Sequence, residues 1–92
     1  MEEKDDEFLK MLGSKGTKQI LDFIHEHGTA QYRDFQLFMN VNTLNNRLKK
    51  LLRLGILEHH LEREEKRREW YTLTDKGKKL VKLLEEIVAS MD

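Results

Sequence analysis

Apolar residues recur along the chain in three helical stripes and two short runs. Ile20, Leu21, Phe23 and Ile24 form the first stripe, the face of a helix turned toward a core. Thr17 is placed to cap that helix and Gly28 to end it. Tyr32, Phe35, Leu37 and Phe38 predict a short helix of two turns over residues 31–38. Leu44, Leu48 and Leu51, spaced by four and three, line a third helix that runs to Leu54 and stops at Gly55. Residues 56–61 and 70–73 predict strands. Every residue between them, from Glu62 to Glu69, is charged, which predicts a solvated hairpin. Thr74 caps a last helix with Asp75 in its first turn. Leu80, Leu84, Ile87 and Met91 then repeat at helical spacing, and Val81, Leu83 and Val88 widen the stripe. Ahead of all these lies a short charged helix, about Asp5 to Leu12, set apart by Gly13-Ser14-Lys15-Gly16. The expected core is Ile20, Phe23, Ile24, Phe35, Leu44, Leu48, Leu51, Tyr71 and Leu73.

The polar positions of the third helix carry the chemistry. Asn42, Asn45, Asn46, Lys49 and Arg53 project opposite the leucine stripe, with Thr43 and Lys50 beside them. Such a face can be merely solvated. Asn, however, is a poor helix former, and Glu, Lys or Gln would serve a solvated face better. In a major groove the same residues have a use. Asn pairs with adenine, and Lys or Arg with guanine or phosphate. The start of this helix has two readings. The spacing of Leu44, Leu48, Leu51 and Gly55 makes Asn40 the N-cap; counting from the preceding short helix makes it Asn42, with Asn40 in a left-handed turn. The downstream spacing is the tighter constraint and favours Asn40.

Charge refines this picture more than composition does. Seventeen basic and seventeen acidic residues cancel, so bulk charge does not drive the chain onto nucleic acid. The distribution is uneven. Residues 1–9 hold five acids and one base, whereas residues 41–54 hold four bases (Arg47, Lys49, Lys50, Arg53) and no acid. In the hairpin, Arg63, Lys66, Arg67 and Arg68 alternate with glutamates; Arg67 and Arg68 are the best placed to reach a phosphate or a minor groove. The chain has no cysteine, no long apolar run and no apolar leader, so a cytoplasmic protein that makes no membrane contact is expected.

Two segments together carry a family resemblance. Thr43-Leu44-Asn45-Asn46-Arg47-Leu48-Lys49-Lys50-Leu51 followed by Gly55-Ile56-Leu57 looks like a recognition helix and its exit into a wing strand. Trp70-Tyr71-Thr72-Leu73-Thr74-Asp75-Lys76-Gly77 looks like the second wing strand entering the last helix. From about Thr17 to Ala89 the chain resembles winged helix-turn-helix regulators of the MarR, ArsR, HxlR and PadR kind. One departure is that Asn40 as N-cap places Phe38 where the family usually has glycine. The resemblance implies a mainly α fold with a small β-hairpin, in the order helix-helix-helix-strand-wing-strand-helix. It implies one DNA-binding domain over residues 1–92, with residues 1–13 an acidic N-terminal segment and residues 76–92 a dimerisation helix.

The expected function is a transcriptional regulator that reads double-stranded DNA with the third helix in the major groove and the charged wing on the flanking backbone. The expected contacts are Asn42, Thr43, Asn45, Asn46, Lys49, Lys50, Arg53, Arg67 and Arg68. A homodimer is expected on Leu80, Leu84, Ile87, Val88 and Met91, because that stripe exceeds what packing within one chain requires. The other functional class is a winged-helix module for protein contacts; the acid-free stretch over residues 41–54 favours DNA. No nucleophile–base pair or phosphate loop is evident, so neither enzymatic activity nor a cofactor is expected. The histidines fall at 25, 27, 59 and 60, and neither spacing puts a pair on one face, so no metal site is expected.

Overall fold

The computed structural model describes residues 2–91. Met1 and Asp92, the outer ends of the predicted N-terminal segment and C-terminal helix, lie outside the described residues. The elements are α1 (Glu3–Leu12), α2 (Lys15–His27), α3 (Tyr32–Phe35), α4 (Val41–Arg53), β1 (Leu57–Glu62), β2 (Arg68–Leu73) and α5 (Asp75–Ala89). The fold is mainly helical with a two-stranded antiparallel hairpin, in a winged helix-turn-helix arrangement.

Two local predictions are corrected. Ser14, not Thr17, caps α2: its Oγ lies 3.4 Å from the Thr17 amide and 2.9 Å from the Thr17 hydroxyl, and donates to the Met11 carbonyl at 2.8 Å. The residues Gly13-Ser14 thus form the whole break between α1 and α2, and Lys15 and Gly16 are already helical. Thr17 is fully buried, its hydroxyl satisfied by Ser14. The predicted two-turn helix over residues 31–38 closes as α-helix only over Tyr32–Phe35 and continues as turns. Its start is held by the Asp34 carboxylate, which accepts from the Gln31 amide at 2.7 Å.

The core lies where α2, α3, α4 and the inner face of the hairpin meet. Ile20, Leu21, Ile24, Phe35, Leu44, Leu51 and Ile56 are its fully enclosed side chains, with Leu48, Leu57, Tyr71, Leu73 and Val81 around them. Phe23, expected inside, is only half-buried: it stacks on His27 and meets Phe35 and Phe38 at the edge of the cluster. Met11 and Leu12 at the end of α1 are buried as well, so the N-terminal helix is tied to the domain through its last turn.

The hairpin register pairs Leu57 with Leu73 and His59 with Tyr71. Strand alternation therefore turns Leu57, Tyr71 and Leu73 inward and puts Glu58, His60, Trp70 and Thr72 on the outer face. A third segment joins at Ala30, whose amide and carbonyl both bond to Tyr71, at 3.1 and 2.7 Å. This pair stitches the α2–α3 connection to β2.

The junction between α4, the hairpin and α5 is built by Thr74 and Gly77. Gly55, at φ 74°, turns the chain out of α4 in a conformation other residues resist. The Thr74 hydroxyl donates to the Gly55 carbonyl at 2.5 Å, with the Ile56 carbonyl at 3.1 Å, and accepts the Gly77 amide at 3.0 Å to cap α5. Gly77 is buried against the Ile56 carbonyl, which occupies the space a Cβ would need. Lys76 reaches back to the Leu54 carbonyl at 2.7 Å, covering one of the bare carbonyls at the end of α4. These contacts explain why Leu73-Thr74-Asp75-Lys76-Gly77 is a structural unit: it locks α5 and the wing to the exit of α4.

Candidate nucleic-acid interface

Helix α4 is fastened by its leucines and leaves its other side open. Leu44 and Leu51 are 0% exposed and Leu48 4%. Asn40 is the N-cap, its side chain accepting the Thr43 amide at 2.9 Å, so the downstream spacing fixed the register correctly. Asn40 has φ −71°, and no left-handed turn is needed. Asn42, Asn45, Asn46, Lys49, Lys50 and Arg53 are all exposed, and Thr43 is half-buried because its amide and backbone sit in the cap. The helix thus brings all seven predicted positions of residues 42–53 to one continuous polar surface.

That surface is graded along its length. Its first half carries amides and a hydroxyl, groups that read base edges. Its second half carries Lys49, Lys50 and Arg53, groups that meet phosphates at a distance. Arg47, outside the predicted set, turns sideways: it is half-buried, and its Nε finds no hydrogen-bond partner among the described residues. Two apolar side chains at the entrance of α4 were not foreseen as surface groups. Leu37 in the preceding turn is 84% exposed, and Val41 in the first turn of α4 is 48% exposed.

Asn45 has a partner that sequence reasoning missed. The Tyr32 hydroxyl, on α3, donates to the Asn45 amide oxygen at 2.6 Å. Tyr32 was read as an apolar position of a short helix. Nothing in the spacing of two residues thirteen apart marks them as neighbours.

The wing differs from the expectation in detail. Its loop covers residues 63–67, so Arg67 sits at the loop's end and Arg68 already belongs to β2. Arg67 donates to the Glu69 carboxylate at 2.7 Å, and that bond holds the Glu69 carboxyl below the usual carboxylate range. Arg68 lies across the hairpin from Glu62. Both predicted wing contacts therefore stand beside carboxylates, whereas the basic residues of α4 have no acid on their own helix. On the outer face of the wing His60 stacks on Trp70, with ring centroids 5.1 Å apart, and its Nε2 lies 2.7 Å from the Thr72 hydroxyl. On the inner face burial pushes the Tyr71 phenol above its ordinary value, helped by Glu69 and Tyr32.

The model for HxlR-like helix-turn-helix proteins matches residues 11–92. The chain belongs to the HxlR family. It is an HxlR-type DNA-binding transcriptional regulator. Solved structures agree with the assignment. The transcriptional regulator YodB from B. subtilis, in its reduced form, has a TM-score of 0.80 to this HxlR-family chain. It is 25% identical, over 97% of this chain and 89% of YodB. Diamide-treated YodB has the same TM-score and identity, over 97% and 90% of the two chains. A MarR-family transcriptional regulator from Porphyromonas gingivalis W83 shares the fold, with a TM-score of 0.73 and 21% identity over 97% of this chain and 91% of that one. No curated protein matches the sequence.

Among the described residues of this HxlR-family regulator, no cluster of His, Asp or Glu is arranged to hold a metal ion, and no helix is long and apolar enough to cross a membrane. The predicted dimer residues divide into two groups. Leu80 and Leu84 are half-buried against the chain's own core. Ile87, Val88 and Met91 are 60%, 57% and 83% exposed. An apolar groove of about 450 Å³ runs between α2 and α5, lined by Leu12, Leu21, Val81, Leu84, Ile87 and Val88 among others.

Proposed function

We propose that this regulator reads duplex DNA with α4 in the major groove, each protomer of a homodimer contributing one such helix. The observation that carries the reading is the division of α4: a fully buried leucine face and a fully presented, acid-free Asn/Lys/Arg face. Asn42, Thr43, Asn45 and Asn46 meet base edges near the start of the helix. Lys49, Lys50 and Arg53 meet phosphates along its second half. Val41 is placed beside them for contact with a thymine methyl group. The wing, with Arg67 and Arg68, lies over the flanking backbone.

Dimerisation rests on the end of α5. Ile87, Val88 and Met91 leave an apolar strip in water that a second copy would cover, and Leu83, one turn before Ile87 and nearly half exposed, extends it. A two-fold pair doubles the site read and sets the half-site spacing near one helical turn of DNA or a multiple of it. In this reading these 92 residues act as one domain, whose N-terminal segment and α5 frame the dimer contact and whose α4 and wing face DNA.

Selection of bound sequences from random duplex DNA tests the reading. A two-fold symmetric site is expected. Asn45→Ala and Asn46→Ala should each lose about 1–3 kcal/mol of discrimination at single positions of it. Unchanged selected sequences from both folded variants would show that α4 is not the reader.

A further inference from the structure

The bond between Tyr32 and Asn45 determines which way the Asn45 amide faces, and this bears on which base it can read. An asparagine amide has one accepting end and one donating end. Adenine offers a donor and an acceptor side by side in the major groove, so pairing with it bidentately needs both ends of the amide turned outward. Guanine offers two acceptors, O6 and N7, and is served by donors alone. Here the amide oxygen is turned back to the Tyr32 hydroxyl at 2.6 Å, which leaves the NH2 end as the part of Asn45 presented away from Tyr32.

We propose that Tyr32 is a specificity-determining residue: by holding the Asn45 oxygen it makes Asn45 a donor-only reader that selects guanine over adenine. The proposal rests on the reading that α4 lies in the major groove. Tyr32 is a fixed donor and not a mobile one. It is the first residue of α3, a turn pinned by Phe35, which is 0% exposed, and by the Gln31–Asp34 cap. Its ring is half-buried against the core cluster, so the hydroxyl cannot follow the amide if the amide rotates. In the free protein the bond is exposed and water can replace it. Under a docked duplex water is excluded. Turning both ends of the amide outward toward adenine would then strand the phenol without a partner, so one end stays engaged by Tyr32 when a base is being read, and in the structure that end is the oxygen.

The test is selection from random duplex DNA with the full chain as parent, Tyr32→Phe, Asn45→Ala and Asn46→Ala, each checked for an unchanged thermal midpoint. The position under Asn45 is the one whose preference Asn45→Ala flattens. The parent is expected to take guanine there. Tyr32→Phe, which keeps the ring and removes the hydroxyl, should shift that single position toward adenine by about fivefold or more in relative affinity. Every other position and the salt dependence should stay as in the parent. A parent preference for adenine at that position, or an unchanged guanine preference in Tyr32→Phe, overturns the proposal while leaving the role of α4 intact. Selected sequences unchanged in both Asn45→Ala and Asn46→Ala overturn both.

Discussion

Helices α4 and α5 are built to one plan and end in different situations. Each is amphipathic, each is capped by a side chain (Asn40 and Thr74), and each carries large apolar residues at spacings of three and four. In α4 the leucine stripe is used up inside the protomer: Leu44, Leu48 and Leu51 are buried, and apart from Val41 in the first turn what remains outside is polar and basic. In α5 only the first half of the stripe is used. Val81 is buried and Leu80 and Leu84 are partly so, while Ile87 and Val88 face water, as does Met91, which lies past the helix end at Ala89 and not, as expected, within the helix. The difference lies in what each helix has beside it. Helix α4 is flanked by α2 and β1, whereas α5 packs on α2 and β2 and its second half is parted from α2 by an open apolar groove. The molecule measures 47 by 25 by 24 Å. An exposed polar face suits a charged polymer, and an exposed apolar face suits another protein surface. On the proposed reading the two helices divide the work of the regulator between DNA and a second copy of the chain.

The comparison breaks most decisively at Leu48. Leu48→Ala should cost about 2–5 kcal/mol of folding stability, because the cavity opens between α4 and the core. Chemical denaturation measures it. A midpoint equal to the parent's would mean that α4 is not held by its leucines. The apolar end of α5 is expected to behave in the opposite way. Ile87→Glu combined with Met91→Glu touches only exposed positions, so the fold should persist while the dimer separates. Affinity for a symmetric DNA site should drop roughly 100-fold with the loss of the second half-site. Sedimentation equilibrium with the parent at tens of micromolar decides the point: a parent of one chain's mass refutes the dimer outright. The smallest effect belongs to single charges on α4. Lys49→Ala should lower the salt slope of DNA binding by about 0.9 and weaken all duplexes alike. Dimerisation, resting on apolar contacts, should show little salt dependence over the same range.

Much of the fold was legible because its signals are local. The leucine spacing placed the buried face of α4 and, counted back from Gly55, made Asn40 its cap; Thr74 was identified as a cap from Asp75 beside it. The candidate reading face followed directly, since a buried stripe on a helix dictates which residues point away from it. The failures were of two kinds. Ser14 and Thr17 are both good caps three residues apart, and the choice between them depended on Thr17 being drawn into the core. The short helix α3 was read too long because Leu37 and Phe38 extend its apolar pattern, yet it ends in a turn that leaves Leu37 in water.

By itself the sequence determined the helical and strand periods, the caps, the acid-free face of α4 and the surplus of apolar residues on α5, since each of these depends on neighbours within a few residues. Tertiary structure alone decided the pairs that meet across long separations. Tyr32 came to Asn45, Ala30 joined the edge of β2, and the Ile56 carbonyl filled the place of a Gly77 side chain. Such contacts follow from how packed helices cross and where the hairpin turns. A period along one element says which face is buried, but not which residue of another element will stand opposite it.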